Sequence, residues 1–392
     1  MSVFFQKSLN ICLITNAYPP MLNGVAQAVY SLEQKLAALG HKVYIVTLAV
    51  PKTAYEPNVM AFHSFQFPRM MSQDLRWSPT LIQPGIYARR IAQFCRKHKI
   101  DIIHNHDTYG LSNIPGKVGK MLKIPVVHTF HTDIESYRKI LNVPGFRHIL
   151  RAIIAKSCNV ARITISPSEK MAQYLREKVR VKNPVVVLKN EINPQLVQYL
   201  KKNYQHSKRT QVKTFITFGR VAAEKGIETT LAAIAPVLRS DSTLRYIIAG
   251  IAVPSYLDQL KNRITDLQIA SQVLFTGAYR SIEELGLLAS QADVFLFTSH
   301  SETFGITLVE AMGFGLPVIA LKDECFREIL SEKTAFICET TDDFSQRCTT
   351  VANQTFADLI SFRTAALQSF EIMQHHNVAR EHADIYQTLL QK

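Results

Sequence analysis

Short apolar runs alternate with amphipathic stretches along this chain, and no other sequence feature limits its fold as strongly. In the first half the apolar runs cover residues 9–15, 43–48, 100–104, 124–129 and 162–166. In the second half they cover residues 214–218, 244–249, 273–276, 294–298 and 317–321. Amphipathic, helix-like segments separate the runs, which predicts parallel strands joined by crossover helices. We therefore expect an α/β protein.

The alternation is interrupted by a polar and basic stretch at residues 201–213, which has little to bury. Such a stretch is typical of a linker between domains, or of an exposed loop close to one. The chain has 392 residues, and domains usually have roughly 100 to 200. We expect two doubly wound, Rossmann-like parallel-sheet domains facing each other across a cleft, at residues 1–195 and 196–375. Residues 376–392 are expected to form a terminal helix that packs back toward the N-terminal domain.

Positive charge is concentrated in the first domain. Residues 1–195 contain 26 Lys and Arg against 10 Asp and Glu, a net charge of +16, whereas the remainder contains 19 against 21, a net charge of −2. A basic domain joined to a nearly neutral one suggests an anionic partner. A membrane surface, a nucleic acid and a phosphorylated substrate all stay open, because charge alone does not distinguish among them.

The sequence contains no apolar run that approaches the roughly 20 residues needed by a spanning helix. Residues 1–7 also lack a basic stretch that leads into a signal-like apolar region. We therefore expect a cytoplasmic protein.

Candidate ligand contacts follow the strands, because open parallel sheets bind ligands outside the carboxyl ends of their strands. After the first strand, Gly24 opens a helix where backbone N–H groups can approach an anion. Two later strand ends carry four histidines and two aspartates: His104, His106, His128, His131, Asp107 and Asp133. Zinc ligation, hydrogen bonds to ligand hydroxyls, and structural histidines bonded to the backbone are three open interpretations.

The second half carries two cations at one strand-to-helix turn. Arg220 follows the strand at residues 214–218, and Lys225 opens the next helix five residues later. Arg binds phosphate in a bidentate way and Lys binds it as a point charge, so the pair can converge on one diphosphate. A solvated loop with surface cations is the alternative for this segment taken alone.

Two carboxylates lie on either side of a later helix start. Glu302 belongs to the loop after a strand, and Glu310 lies about two turns into the helix that follows. The N–H groups of a helix start bind phosphate, but two carboxylates would repel an anion unless each faces neutral hydroxyls. The sugar and the ribose on either side of a diphosphate provide such hydroxyls, so this segment suits a nucleotide sugar.

Together these segments resemble a known family. They comprise the Glu-x7-Glu pattern of Glu302 and Glu310, the Gly-Arg-x4-Lys-Gly element at residues 219–226, the Gly24 loop, the His131-Thr132 pair and the strand at residues 292–295. All five are similar to the retaining glycosyltransferases of family 4, which have the GT-B architecture. The resemblance covers almost the whole chain, and residues 273–320 carry its most specific part.

The resemblance implies roles for individual residues. The candidate catalytic residues would be His131, Glu302, Arg220 and Lys225. Arg220 and Lys225 would bind the donor diphosphate, for which Gly24 would leave room. Glu310 would bind the ribose, Glu302 would bind the transferred sugar, and His131 would face that sugar from the other domain. Backbone amides at the helix start would assist, from Phe304, Gly305, Ile306 and Thr307.

The resemblance also implies a mechanism. Such enzymes retain the anomeric configuration without an obvious protein nucleophile, so the diphosphate itself would accept the proton of the acceptor. No metal and no cofactor are expected, and a UDP-hexose is favoured over a GDP-hexose as the donor. The N-terminal domain would be the acceptor side, and the C-terminal domain would bind the nucleotide sugar.

The acceptor side looks like the lipid-directed members of the family, such as diacylglycerol glucosyltransferases and phosphatidylinositol mannosyltransferases. The acceptor-side candidates are His106, Asp107, Thr132 and Tyr137. Two basic helix faces are candidates for peripheral contact with an anionic membrane at its inner face: Arg89, Arg90, Arg96, Lys97 and Lys99 form one, and Arg147, Arg151 and Lys156 form the other. Ordinary solvated helix faces are the alternative.

Other functions also fit parts of the sequence. Transfer to a soluble or polysaccharide acceptor is one alternative, and a non-catalytic nucleotide-sugar-binding protein on the same scaffold is another. The paired Glu spacing argues against an epimerase of the same architecture. No nucleic-acid partner is expected, because the basic half lacks interleaved aromatic and basic residues.

The chain departs from the family pattern outside these contacts. Lys189-Asn190-Glu191 replaces the usual Pro-Asn-Gly before the second domain. Residues 250–254 replace a Gly-x-Gly-Pro turn, and residues 331–338 replace a turn that contains Asn-Gly. These changes concern the hinge and local loops.

Overall fold

The computed structural model describes residues 7–21, 23–66, 76–77, 83–108, 111, 113–131, 146–203, 211–252, 254–279 and 281–391. The chain divides into two compact units. Unit 1 comprises Met1–Asn193 and Asn377–Lys392, and unit 2 comprises Pro194–His376. These divisions lie within two residues of the boundaries expected from the sequence.

Unit 1 is built on a parallel sheet. Its strands are β1 (Asn10–Ile14), β2 (Lys42–Leu48), β3 (Val59–Phe62), β6 (Ile102–Asn105), β7 (Val126–Thr129), β8 (Ile163–Ser166) and β9 (Val185–Val187), and a separate antiparallel pair joins β4 (Phe65–Gln66) to β5 (Arg76–Trp77). The order across the sheet is β3-β2-β1-β6-β7-β8-β9, and every neighbouring pair is parallel. The central strands have apolar residues on both faces, as expected of a sheet covered by helices on both sides.

Helices cover both faces of this sheet. They are α1 (Gly24–Ala38), α2 (Pro84–Lys97), α3 (Ile114–Leu122), α4 (Phe146–Asn159), α5 (Glu169–Gln173), which continues as a π-helix over Tyr174–Val179, and α13 (Val378–Leu390). Successive strand residues point to opposite faces. Ile11 and Leu13 of β1 therefore pack with α1 and α13, whereas Cys12 and Ile14 pack with α2 and α3.

Unit 2 repeats this arrangement. Its strands are β10 (Thr214–Phe218), β11 (Arg245–Ala249), β12 (Val273–Gly277), β13 (Val294–Phe297), β14 (Val318–Leu321) and β15 (Ala335–Cys338), in the order β12-β11-β10-β13-β14-β15. All neighbouring pairs are parallel. Its helices are α6 (Pro194–Asn203), α7 (Ile227–Ser240), α8 (Pro254–Asp266), α9 (Ile282–Ser290), α10 (Ile306–Gly313), α11 (Thr341–Ala352) and α12 (Ile360–His375). The predicted α/β class with two parallel-sheet domains is confirmed.

Local side chains set several of the helix starts. Asn23, Ser168, Ser281 and Asn377 each precede a helix and accept a hydrogen bond from the backbone N–H three residues later. Such N-caps satisfy donors that a helix leaves unpaired at its first turn. Glu191, which departs from the family pattern, accepts a hydrogen bond from the N–H of Ala379 at the start of α13. This departure therefore joins the terminal helix to unit 1.

The polar stretch at residues 201–213 is not the point where the two units divide. The division falls between Asn193 and Pro194, and α6 belongs to unit 2 because its apolar side packs there. Tyr199 makes an edge-to-face contact with Phe314, and Leu196 is fully buried. The polar residues at the end of α6 are exposed, which explains why the sequence resembles a linker. None of the helices in the described part of the chain is both long enough and apolar enough to cross a membrane.

Gly226 lies in a tight turn at the carboxyl edge of the second sheet. Its φ of +68° lies in the left-handed region, and a Cβ there would lie 2.1 Å from the carbonyl oxygen of Thr298. This carbonyl belongs to the residue that directly follows β13. Only glycine allows the β10–α7 turn to lie this close to the end of β13.

We expect Gly226→Ala to destabilise unit 2 more than Gly277→Ala does. Gly277 has a nearly equal φ of +73° with no atom within 4 Å of the added Cβ, so it isolates the backbone cost of about 1–2 kcal/mol. The difference between the variants then measures the clash at Thr298. Urea unfolding followed by far-ultraviolet circular dichroism gives both values, and equal losses would contradict the close approach.

Candidate active site

The carboxyl ends of β10 and β13 lie next to each other in unit 2 and border a cavity. Its lining includes Gly219, Arg220, Lys225, Thr298 and Thr307. These residues come from the loop after β10, the end of β13 and the first turn of α10. The fold thus brings together both expected diphosphate cations and the expected helix start.

Both cations already have carboxylate partners. The Arg220 Nη2 atom lies 2.6 Å from Glu224 Oε1, and Lys225 Nζ donates to Glu302 Oε1 at 2.6 Å. All four side chains are largely buried, with exposed fractions of 21% for Arg220, 8% for Glu224, 23% for Lys225 and 11% for Glu302. Charges held this far from water require counter-charges. An anion that binds here must therefore exchange with, or sit beside, these carboxylates.

Backbone and hydroxyl contacts fix the two loops that carry these charges. The carbonyl of Glu224 accepts from the backbone N–H of His300 at 3.0 Å. The Thr298 hydroxyl donates to the carbonyl of Gly226 at 2.7 Å. The loop that holds Arg220 and Lys225 is therefore tied directly to the loop that holds Glu302. Glu224 was not among the predicted site residues, although its i+4 spacing from Arg220 is a signal in the sequence.

The first turn of α10 carries the amides expected to contact the donor. Gly305 caps this helix with a φ of +88°, so Phe304 and Gly305 precede the helix, and Ile306 and Thr307 begin it. A helix start presents N–H groups and a partial positive charge to an anion. Glu310 lies in the same helix and is 7% exposed. Burial raises the pKa of Glu310 to about 8, which makes its carboxyl able to donate as well as accept near neutral pH.

Gly24 lies in unit 1, at the carboxyl edge of its sheet. It is the exposed first residue of α1, and Asn23 Oδ1 caps the helix by accepting from Ala26 N at 2.9 Å. The expected glycine loop therefore leads into a capped helix start. That position is compatible with an approaching phosphate.

The histidines cluster at the ends of β6 and β7. His106 Nδ1 lies 2.9 Å from His131 Nε2, and these two rings stack with centroids 5.1 Å apart. His104 contacts the hydroxyls of Tyr386 and Thr129, and His128 Nδ1 lies 2.9 Å from the amide nitrogen of Asn105. All of these side chains are buried. The structure therefore brings His106 and His131 together, and gives His104 and His128 structural partners.

Burial keeps the cluster neutral. It lowers the pKa of both His131 and His128 to about 3, and it lowers the pKa of His104 and His106 well below the usual value. Neutral imidazoles both donate and accept hydrogen bonds. Within the described ranges, no group of three or more His, Cys, Asp or Glu side chains is arranged to hold a metal ion.

The remaining acceptor-side candidates divide into two groups. Asp107 is buried, and its carboxylate accepts a hydrogen bond from the N–H of Leu111, which anchors the loop after β6. Thr132 and Tyr137 lie outside the described residues.

Two family models match this chain over consecutive segments. The model described as Glycosyltransferase Family 4 matches residues 22–196, and the model described as Glycosyl transferases group 1 matches residues 198–355. The chain belongs to glycosyltransferase family 4. The resemblance seen in the sequence is thereby confirmed, and the chain is an enzyme that transfers a glycosyl group from a nucleotide sugar to a hydroxyl acceptor.

Curated relatives of this family 4 chain include two proteins named alpha-monoglucosyldiacylglycerol synthase. The one from Streptococcus pneumoniae is 28% identical over 344 residues, which cover 83% of this chain and 74% of the relative. The one from Acholeplasma laidlawii is 28% identical over 342 residues, which cover 81% of each chain.

A solved structure of Anabaena Alr3699/HepE in complex with UDP and glucose is similar to this family 4 chain with a TM-score of 0.70. It covers 97% of this chain and 99% of its own, at 18% identity. At this identity the likeness establishes the fold.

Proposed function

We propose that this chain transfers a hexose from a UDP-hexose to the hydroxyl of a membrane lipid, with retention of the anomeric configuration. The observation that carries the donor part is the meeting of Arg220, Lys225 and the start of α10 around one cavity. The names of the two curated relatives support glucose as the hexose and a diacylglycerol-type lipid as the acceptor. The UDP named with the similar solved structure supports the nucleotide.

In the proposed complex the donor diphosphate takes over the counter-charge role of Glu302 and Glu224. In the free protein Lys225 lies 2.6 Å from Glu302. A diphosphate carries more charge than a carboxylate, so it competes well for Lys225 and for the bidentate fork of Arg220. Glu302 is then released to accept hydrogen bonds from sugar hydroxyls, and Glu310 is placed to bind the ribose.

The chemistry then needs no protein nucleophile. A diphosphate oxygen takes the proton of the acceptor hydroxyl, and the hydroxyl oxygen bonds to the anomeric carbon. The bond from that carbon to the diphosphate breaks on the same face, which retains the configuration and releases UDP. Charge develops on the leaving diphosphate, where Arg220, Lys225 and the start of α10 stabilise it. We assign His131, which burial keeps neutral, to the transferred sugar, as the family resemblance implies.

Two surfaces of unit 1 support contact with a membrane. On the α4 surface, Ile149 and Ile153 are 59% and 38% exposed, with Arg147 and Lys156 also exposed nearby. Helix α4 contains no acidic residue. On α2, Ile86 is 46% exposed, and four cations are exposed: Arg89, Arg90, Arg96 and Lys97. Exposed apolar residues among cations are typical of interfacial helices that bind anionic lipid.

Arg220→Ala should weaken UDP binding by about 10- to 150-fold, because it removes a charge-assisted contact, and it should also lower the rate at saturating donor. His131→Ala should leave UDP binding unchanged and slow transfer, since this histidine is assigned to the sugar. Arg327→Ala serves as a control, because Arg327 pairs with Glu324 at an exposed position.

Calorimetry with UDP and initial rates with UDP-glucose separate these effects. If His131→Ala weakened UDP binding as much as Arg220→Ala did, the division between diphosphate and sugar contacts would be wrong.

If a membrane lipid is the acceptor, the protein should sediment with anionic liposomes at low salt and be released from them at high salt. It should also glucosylate diacylglycerol that the liposomes contain. Ile149→Ser/Ile153→Ser should lower liposome binding and lipid glucosylation about tenfold, because both apolar contacts are lost. The matched control is Ile360→Ser/Ile372→Ser, which removes two isoleucines that are 57% and 73% exposed on α12. If the protein bound neither neutral nor anionic vesicles and transferred glucose to a soluble sugar, a soluble acceptor would be favoured.

A further inference from the structure

A tyrosine of the terminal helix touches the histidine cluster of unit 1. Tyr386 of α13 is fully buried, and its hydroxyl lies 2.6 Å from His104 Nδ1. His382 lies one turn earlier on the same helix, and its ring centroid is 5.5 Å from that of His104. The C-terminal segment therefore contributes polar groups to the ends of β6 and β7, which lie more than 250 residues earlier in the chain.

The direction of the hydrogen bond follows from the buried proton of Tyr386. In the part of the chain that the structure describes, His104 is the one hydrogen-bond partner of this hydroxyl, and a buried O–H left without an acceptor is costly. Tyr386 therefore donates to His104 Nδ1. This leaves the proton of the neutral imidazole on Nε2, which donates to Thr129 Oγ1 at 2.7 Å.

From His104 the contacts run on to His131. The rings of His104 and His106 lie 4.0 Å apart with a tilt of 38°. His106 Nδ1 lies 2.9 Å from His131 Nε2. We call Tyr386, His104, His106 and His131 the histidine row. It links the terminal helix to the residue that the proposed function assigns to the transferred sugar.

The composition of this row argues against a purely structural role. Burying imidazoles costs desolvation, and His106 Nε2 is buried without a hydrogen-bond partner among the described residues. A core selected for stability alone would place apolar side chains here, as the neighbouring core around Leu13, Val29 and Val127 does. Unsatisfied buried polar groups call for an explanation, and positioning of a functional group is one.

We propose that Tyr386 is a positioning residue for transfer: it fixes the protonation and placement of His104, on which His106 packs, and thereby orients His131. The inference rests on the proposed function for the contact of His131 with the sugar. It assigns the terminal helix a part in catalysis in addition to its part in folding. The proposed positioning role does not involve unit 2 or its diphosphate contacts.

Tyr386→Phe tests this proposal, because it keeps the ring and removes the hydroxyl. We expect kcat to fall about two- to twelvefold, as for the loss of one hydrogen bond, with the affinity for UDP unchanged. Tyr246→Phe is the matched control. Tyr246 is another fully buried tyrosine, in unit 2, and its hydroxyl donates to Thr217 Oγ1 at 2.8 Å. This variant should lose similar stability and keep kcat.

A double-mutant cycle separates positioning from general damage. In a His131→Ala background, Tyr386→Phe should cause no further loss of kcat, because its effect passes through His131. Side-chain ¹⁵N resonances of the histidines in the free protein give an independent readout. Tyr386→Phe should shift the resonances of His104 and His131, whereas Tyr246→Phe should leave them in place.

Multiplicative losses of kcat in the cycle, or unchanged ring resonances of His104 and His131 in Tyr386→Phe, would overturn the proposal. Wild-type kcat in His131→Ala would reject both the sugar contact of the proposed function and the catalytic effect of Tyr386. Shifted resonances in Tyr386→Phe would then show that the failure lies in the role of His131.

Discussion

The candidate site depends on the neutralisation of two largely buried cations. Lys225 and Arg220 lie at the carboxyl ends of the second sheet, where Glu302 and Glu224 hold them at 2.6 Å. A cation removed from water needs such a partner, and the tight turn at Gly226 keeps the two loops close enough for the pairing. The same pairs keep the site charged and ready for a diphosphate. Donor binding is then an exchange of anions at cations that are already in place.

Much of the fold could be predicted from the sequence, because strands buried on both faces appear as continuous apolar runs. Central strands such as β1 and β13 are of this kind. No predicted apolar run corresponds to β3, β9 or β15, which are three or four residues long and lie at the ends of their sheets. Strand β9 is an unbroken run of three valines, all of them partly exposed. The end of α6 resembles a linker because its lysines are exposed, although the two units divide before this helix.

In the candidate site, residues that belong to one local motif could be predicted from the sequence, whereas contacts between distant residues could not. Arg220 and Lys225 were found from their spacing in one turn, and the structure places both at one cavity. The assigned roles of these residues stay predictions. The contact of Tyr386 with His104 joins residues 282 positions apart, so only the packing of α13 against unit 1 reveals it. The spacing of residues in the sequence predicts contacts within one turn or one helix. A buried hydrogen-bond network at the edge of a sheet joins residues from distant parts of the chain.

The central claim is that Glu302 neutralises Lys225 in the free protein and yields it to the donor diphosphate. Calorimetric titration of Glu302→Gln with UDP tests this most directly, with Glu339→Gln as the control, since Glu339 pairs with Lys322 at an exposed position. The account predicts that Glu302→Gln binds UDP about two- to fivefold more tightly, because a competing charge of modest strength is removed. Weaker UDP binding in Glu302→Gln, with the control unchanged, would show that Glu302 holds Lys225 in place for the donor and would contradict the exchange.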